Sequence, residues 1–591
     1  MPIRVGKSTL RILASGLVGL ALVAGGASAL LARHEAAASP QAGARSLPGH
    51  AVHGAFRTGE VNLATLPAAS VATTRPGPKA TRADRLLKTP AQRAAYRQWA
   101  LTHPGALPKA AGVGSGPGSV GTIQPNIYGG AAIPALLSSA AGLTSVDGND
   151  WYPPDQAIAA APGYVFEGVN NVMEVYTTAY AKKYGPWTPD QLFASVKHTG
   201  DVFGDPQITF DAERAVYLIS WLEINPTTGA DSIDLAVSLT STPSPLTNFR
   251  VYQIPASTTG SDDFCDYPTL GYDYWGAYVT CITFSVASGV FTGNRTYAFD
   301  INKLLTGSVV LVWYGNVLTA LNCSTACTPA FRVSPAMEDG VPQAEWLSAT
   351  DVGFGATSSN LTLCALTNTH ALETGGTPTA SCSNNTLPAA YTDSMGAPQP
   401  GTATTVYPGD GYKQIAYRNG QLYFAFPEAV SCGGSAVDGI YWAAVDPQLS
   451  TIAAHNPQQV AGIVSAYTNQ GVFCFTGGTD NLYMPSLVAG TEGDMALVFN
   501  DSGPALAPSV YYTGRAAADA PGTMGQGSAW KAVVTGTNSN DSGRWGDYSA
   551  CALTTNLVTR GIVYCGGEFG GPNTALGGFG WDTELYALRM E

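Results

Sequence analysis

Five aspartates recur where short apolar segments begin: Asp155, Asp205, Asp266, Asp410 and Asp547. In Gly204–Trp221 (GDPQITFDAERAVYLISW) an Asp-Pro opening leads into an apolar run, a turn at Asp211 and a second run. Asp266-Tyr267-Pro268-Thr269-Leu270-Gly271-Tyr272-Asp273 repeats this pattern sixty-one positions later, and each copy places a tyrosine (Tyr217, Tyr278) twelve residues after its opening Asp. If every such Asp opens the inner strand of a repeat, the five converge on one rim. Carboxylates gathered there repel one another unless a cation, bound protons or backbone donors offset their charge. Hard oxygen ligands of this kind suit Ca²⁺ or a cationic ligand. The competing expectation is that each Asp caps its own turn by accepting backbone N–H bonds. A third use is glycosidic: two carboxyl groups about 5–10 Å apart across a sugar-binding cleft. The same five, with Glu167, Glu338, Asp339 and Glu568, could supply such a pair.

The elements that must position these residues are β-hairpins, since apolar runs alternate with turn formers at strand spacing. Repetition of a hairpin unit points to blades stacked around an axis. Seven candidate units follow one another, opening at Pro154-Asp155, Gly204-Asp205, Asp266, around Phe331, at Gly409, at Leu482 and at Arg544. The fold class expected is all-β, a β-propeller of seven blades, with six to eight allowed because residues 316–408 are loop-rich. Radial repetition leaves few long exposed sheet edges, which lets many short strands stay soluble.

Composition agrees. Only 12% of the 591 residues are charged, while Gly, Pro and Tyr number 68, 39 and 28, a make-up of all-β extracellular proteins. The net charge of −13 is unevenly spread: residues 112–591 carry 15 basic and 39 acidic groups. Such a body repels phosphates, so no nucleic acid partner is expected. Low charge density also fits acidic surroundings, where fewer carboxylates must be protonated as pH falls. All ten cysteines lie between Cys265 and Cys565, without a C-x-x-C. Disulfides are the expectation in a secreted chain, and nearest-neighbour pairing would join Cys265–Cys281, Cys323–Cys327, Cys364–Cys382, Cys432–Cys474 and Cys551–Cys565.

Residues 1–32 read as a signal peptide or membrane anchor: Arg4, Lys7 and Arg11 precede an apolar run, and Ala27-Ser28-Ala29 offers a cleavage site. Membrane contact is expected only through this segment, if it stays uncleaved. Residues 33–120 are basic, rich in Ala and Pro, and read as a disordered linker or pro-region; Pro90–Leu101 alone has helical spacing. The propeller is assigned to 121–591.

The motifs PPDQAIAAAPGYVFEGVNNVMEVY, GDPQITFD…YLISW, DYPTLGYD…YVT, MPSLVAGTEGDMALVFNDSG…PSVYYTGR and RWGDYSACAL resemble those of secreted bacterial β-propeller proteins, distantly sialidase-like in shape and mostly without assigned activity. The resemblance covers about 150–591 and implies fold and export, not a reaction. A sialidase would need an arginine triad to clamp a carboxylate. Arg332, Arg515 and Arg544 are its candidates, with structural roles as the alternative. Three scattered body histidines (His198, His370, His455) and the lack of H-E-x-x-H or G-x-S-x-G argue against catalytic zinc and a serine triad. Tryptophans spread over all units offer stacking platforms for sugars or packing between blades.

The function expected from sequence is a secreted or cell-surface, monomeric, non-catalytic module binding an extracellular glycan or protein, with a structural Ca²⁺ allowed. The alternative is a polysaccharide-directed glycoside hydrolase with paired carboxylates at the tunnel mouth. A structural surface or matrix component is the third reading.

Overall fold

The duplicated segment folds as its pattern requires. Val202–Asp211 and Val216–Ile224 form an antiparallel hairpin in which Phe210 faces Tyr217. At its turn the Asp211 carboxylate accepts the backbone N–H groups of Glu213 (3.0 Å) and Arg214 (3.2 Å) and pairs with the Arg214 guanidinium. In the copy, Asp263–Tyr272 and Gly276–Ser285 pair likewise, and Asp273 accepts from the N–H groups of Trp275 and Gly276. Asp at a turn thus supplies the acceptor that the reversed backbone lacks.

The computed structural model describes residues 50–52, 57–62, 133–148, 153–225, 228–239, 248–256, 263–286, 291–308, 311–315, 332–338, 343–350, 357–392, 394–406, 414–450, 462–475, 478–490, 493–525, 530–540, 545–546, 549–553, 561–572 and 580–590. All belong to the unit 42–591. Among them the strands fall into consecutive antiparallel four-strand meanders, each running from an inner to an outer edge. The first holds Ala157–Ala161, Tyr164–Val169, Val172–Thr177 and Lys182–Trp187. The second adds Asp231–Ser238 and Asn248–Pro255 to its hairpin, and the third adds Phe291–Asp300 and Leu311–Gly315. The fourth comprises Arg332–Glu338, Ala344–Thr350, Thr357–Thr367 and Thr379–Thr392. Ile415–Arg418, Gln421–Cys432, Ser435–Ser450 and Gly462–Phe473 form the fifth. Asn481–Ala489, Met495–Gly503, Leu506–Arg515 and Lys531–Gly536 form the sixth. The last combines Ala550–Leu553, Ile562–Phe569 and Asp582–Arg589 with Ala135–Thr144, which comes from ahead of the first meander. The chain thereby closes on itself.

Apolar clusters lie between successive meanders and explain the closure. Phe166, Met173 and Trp187 of the first pack with Tyr217, Ile219 and Trp221 of the second. The series continues around to a cluster in which Ile158, Val165 and Tyr176 of the first meander meet Tyr564, Leu585 and Ala587 of the last. Each sheet buries both faces against neighbours, so its strands are apolar on both sides. The chain is an all-β propeller. Trp221, Trp346, Trp442, Trp545 and Trp581 are fully buried, which makes packing their role. Inner strands also touch edge to edge: Ala336–Glu338 pairs in parallel with Ile415–Tyr417, and Tyr272 with Met337.

Four disulfides are formed, Cys265–Cys281, Cys364–Cys382, Cys432–Cys474 and Cys551–Cys565, each inside one meander or at its edge. Cys323 and Cys327 lie outside the described residues, as do 1–49 with their leader motif and the helical candidate Pro90–Leu101. No described helix is long and apolar enough to cross a membrane. Within 33–120, expected as a disordered linker or pro-region, two short strands are described. His50–Val52 pairs with the outer strand of the third meander, and Arg57–Asn62 with that of the second. An unpaired outer strand is a template for any extended segment, so a short, mostly polar stretch such as RTGEVN can dock there without a core of its own.

Candidate functional site: the axial mouth

The inner strands share a backbone device at their first residues. Pairing slips between Gly204 and Gln207, between Asp266 and Thr269, and between Tyr483 and Ser486. The two residues that oppose one at each slip are Asp205-Pro206, Tyr267-Pro268 and Met484-Pro485, and the residue ahead of each proline has a positive φ (57°, 53°, 49°). Asp155 has the same conformation, at 52°. A bulge suits proline, which has no N–H to give the ladder, and it re-aims the side chains that follow. Non-glycine residues adopt this backbone at a cost of about 1–2 kcal/mol, so its recurrence marks a constrained site.

The residues after the bulges turn to the axis. Gln156, Gln207, Thr269, Gln414 and Ser549 line one axial cavity of about 30 Å³ together with Pro335 and Met337. A second, of about 50 Å³, continues along the bore between Phe210, Tyr272, Met337, Val488 and Arg418. Both have room for water but not for a sugar ring. The lining amides are engaged: Gln414 accepts from Ser486 Oγ (2.7 Å) and donates to the Cys551 carbonyl (2.7 Å), tying three meanders together.

Of the five sequence-selected aspartates, three are described, and all three are buried. Asp155 and Asp205 are brought together through Asn170. Asn170 Nδ2 donates to the Asp155 carboxylate (2.7 Å) and to the Pro153 carbonyl (2.6 Å), while its Oδ1 accepts from the Asp205 backbone N–H (2.5 Å). Asp266, one residue ahead of the corresponding position in the third meander, accepts from the Tyr267 N–H (2.9 Å). Asp410, Asp547 and the further candidate Asp339 lie outside the described residues.

Two of the other sequence-selected acids, both buried, converge on Gln156. The backbone N–H of Gln156 donates to Glu568 (3.1 Å), and its side-chain amide donates to Glu167 (2.6 Å). Glu167 also accepts from Thr583 Oγ1 (2.6 Å) and from the Leu143 N–H (3.0 Å). Burial nevertheless pushes its pKa up, against the lowering effect of these donors. The Gln156 carbonyl oxygen is buried without a partner. This arrangement joins the last meander to the first, 412 residues apart in the chain. Gln156 itself escaped the sequence reading, although its place directly after a recurring Asp is a signal that could have found it.

Glu338 is also buried, but at the other end of its inner strand, facing Glu345, whose pKa is raised by burial and then by the Glu338 charge. The arginines do not assemble a clamp. Arg332 is buried and stacks on the Tyr267 ring at 4.2 Å; Arg515 lies over Trp442 and donates to the Asp519 carbonyl. Arg544 is outside the described residues.

No protein-family model and no curated protein matches the chain. Among solved structures it is similar to the alpha-L-arabinanase of Cellvibrio cellulosa complexed with arabinohexaose, at 9% identity, covering 62% of this chain and 94% of that one, with a TM-score of 0.25. It is also similar to the GH93 alpha-L-arabinofuranosidase of Fusarium graminearum with arabinobiose, at 10% identity, covering 74% and 93%, with a TM-score of 0.29. The names of these neighbours are those of glycan-cleaving enzymes, which stands against the expectation of a non-catalytic binding module with catalysis set second. Overlap this low transfers no residue and no substrate to the present chain.

Proposed function

We propose that the protein is a secreted glycoside hydrolase that takes an extracellular polysaccharide at the axial mouth of a seven-bladed propeller. The observation that carries this reading is the pairing of Glu167 and Glu568 on Gln156, a residue of the axial lining. Glycoside hydrolysis calls for two carboxyl groups with different protonation, one giving a proton to the leaving oxygen and the other acting as base or nucleophile. Glu167, whose pKa burial raises, suits the acid. Glu568, on the far side of Gln156, suits the second role. Because the bore admits only water, the sugar is met at the mouth and the attacking water can come from the bore. Support for seven blades comes from the seven described meanders and their closed series of shared cores. Export is supported by the disulfides.

The test is release of reducing sugar from a polysaccharide panel that includes arabinan and galactan, using wild type, Glu167→Gln, Glu568→Gln and the exposed control Asp190→Asn. Loss of a general acid or base costs roughly 10²–10⁴-fold in rate, and both Gln variants should fall by that much while the control keeps its rate. Binding without release by the wild type, or full activity in either Gln variant, refutes the assignment.

A further inference from the structure

A second cluster of donors lies at the inlet side of the second meander, apart from the axial mouth. His198 Nδ1 stands 3.7 Å from an oxygen of Asp201 and 3.7 Å from one of Glu223. One ligand atom from each of the three lies within 4.8 Å of the others. His198 and Asp201 sit on the segment leading into the inner strand, Glu223 on the second strand. Asn225 fixes Asp201 (2.7 Å), and the His198 backbone N–H fixes Glu223 (2.6 Å). Gln253 donates to Glu223, and its amide nitrogen lies 3.0 Å from His198 Nδ1, a contact that an ion bound at that nitrogen would displace.

Glu223 has a further acidic neighbour. Asp234, on the third strand, is fully buried and shares a hydrogen bond with the Glu223 carboxyl group. Glu223 and then Asp201 are the acidic neighbours that act on it, and Lys197 opposes them, although its ammonium is paired with Asp190. Three carboxyl groups gathered in one buried place call for a shared proton or a cation between them.

We propose that His198, Asp201 and Glu223, backed by Asp234, form a binding site for a divalent transition-metal ion of the zinc type. The imidazole decides the class. Ca²⁺ and Mg²⁺ take oxygen ligands almost throughout, whereas one nitrogen with two carboxylates suits Zn²⁺ or its neighbours. His198 is half-exposed, which gives the ion a route in, while Asp201, Glu223 and Asp234 are buried. The bound ion clasps the leading segment of the second meander to that meander's second and third strands. The site is independent of the hydrolase reading, since none of its residues touches Gln156, Glu167 or Glu568.

The experiment is calorimetric titration of the chelator-treated full chain with Zn²⁺, with Ca²⁺ and Mg²⁺ run separately, on wild type, His198→Ala, Asp201→Asn and the control His370→Ala. One Zn²⁺ should bind to wild type and to the control, and each cluster variant should lose at least tenfold in affinity. Cobalt substitution supplies a second readout: visible d–d absorption in wild type that His198→Gln abolishes, with folding of the variant checked by circular dichroism. No Zn²⁺ uptake by wild type, tighter uptake of Ca²⁺ than of Zn²⁺, or equal affinity in His198→Ala and His370→Ala would overturn the assignment. The first result would mean that a shared proton, rather than a metal, relieves Asp234.

Discussion

Glu428 makes a direct test of how this fold treats its acids. It sits on the second strand of the fifth meander, opposite Gly439, and is only 3% exposed. Burial moves its pKa from 4.5 to about 8. The folded value lies above the unfolded one, so the native state holds this proton more tightly. Its contribution to stability is complete below about pH 4.5 and is lost as pH rises through about 8. At roughly 1.4 kcal/mol per tenfold change in proton affinity, the loss amounts to about 4–5 kcal/mol. Asp501 is likewise pushed up to about 8, by burial and then by Asp480, and Asp231, Asp273 and Glu345 are raised chiefly by burial. All of them slope the same way, so the wild type should weaken from acid to mildly alkaline pH. Urea denaturation of wild type and Glu428→Gln at pH 4.5 and pH 8 measures the effect. The variant, which has no proton to lose, should show the smaller decline, by about the amount given. Equal declines, or a wild type that gains stability as pH rises, would refute the reasoning.

Two further outcomes follow from the mouth and the disulfides. Asn170→Ala removes bonds to Asp155, Pro153 and Asp205; with one of the three charge-assisted, the cost is about 3–5 kcal/mol, readable as a lower denaturation midpoint. Opening Cys432–Cys474, which spans 42 residues, should cost about 4 kcal/mol against about 3 for Cys551–Cys565, which spans 14; paired Ser variants under the same denaturant scan check the order.

Much of the propeller was legible because its determinants are local. Phe210 and Tyr217 face each other across a turn whose Asp211 caps the reversed backbone, and both the alternation and the turn residue stand in the sequence. Sequence left the disulfide connectivity open, and two of the four described pairs follow from hairpin register: Cys364 lies opposite Cys382, and Cys551 opposite Cys565. What escaped depends on pairing over long distances. Ala135–Thr144 joins Asp582–Arg589 across more than four hundred residues, and no local pattern distinguishes it from an ordinary strand. The docking of Arg57–Asn62 is harder still, because backbone groups on an outer edge accept almost any extended segment.

The site residues divide along the same line. The recurring aspartates were visible as a repeat; in the structure Asp205 lies in a bulge, Asp266 stands one residue ahead of one, and Asp155 shares the positive φ of Asp205. An inserted residue changes which side chains face the axis, so the positions that reach the lining are Gln156, Gln207 and Thr269, one to three places farther on. Glu167 and Glu568 gain their meaning only from ring closure, which brings the last meander against the first. The same applies to His198, Asp201, Glu223 and Asp234. Each looks like an ordinary polar residue of a loop or strand in its own stretch of sequence. Only the sheet register, which sets Ser232 opposite Glu223 and Gln253 opposite Asp234, packs three acids and an imidazole into one place. Charge that a sequence spreads over some forty residues becomes, in the folded sheet, a concentration the protein must neutralise with a proton or a metal ion.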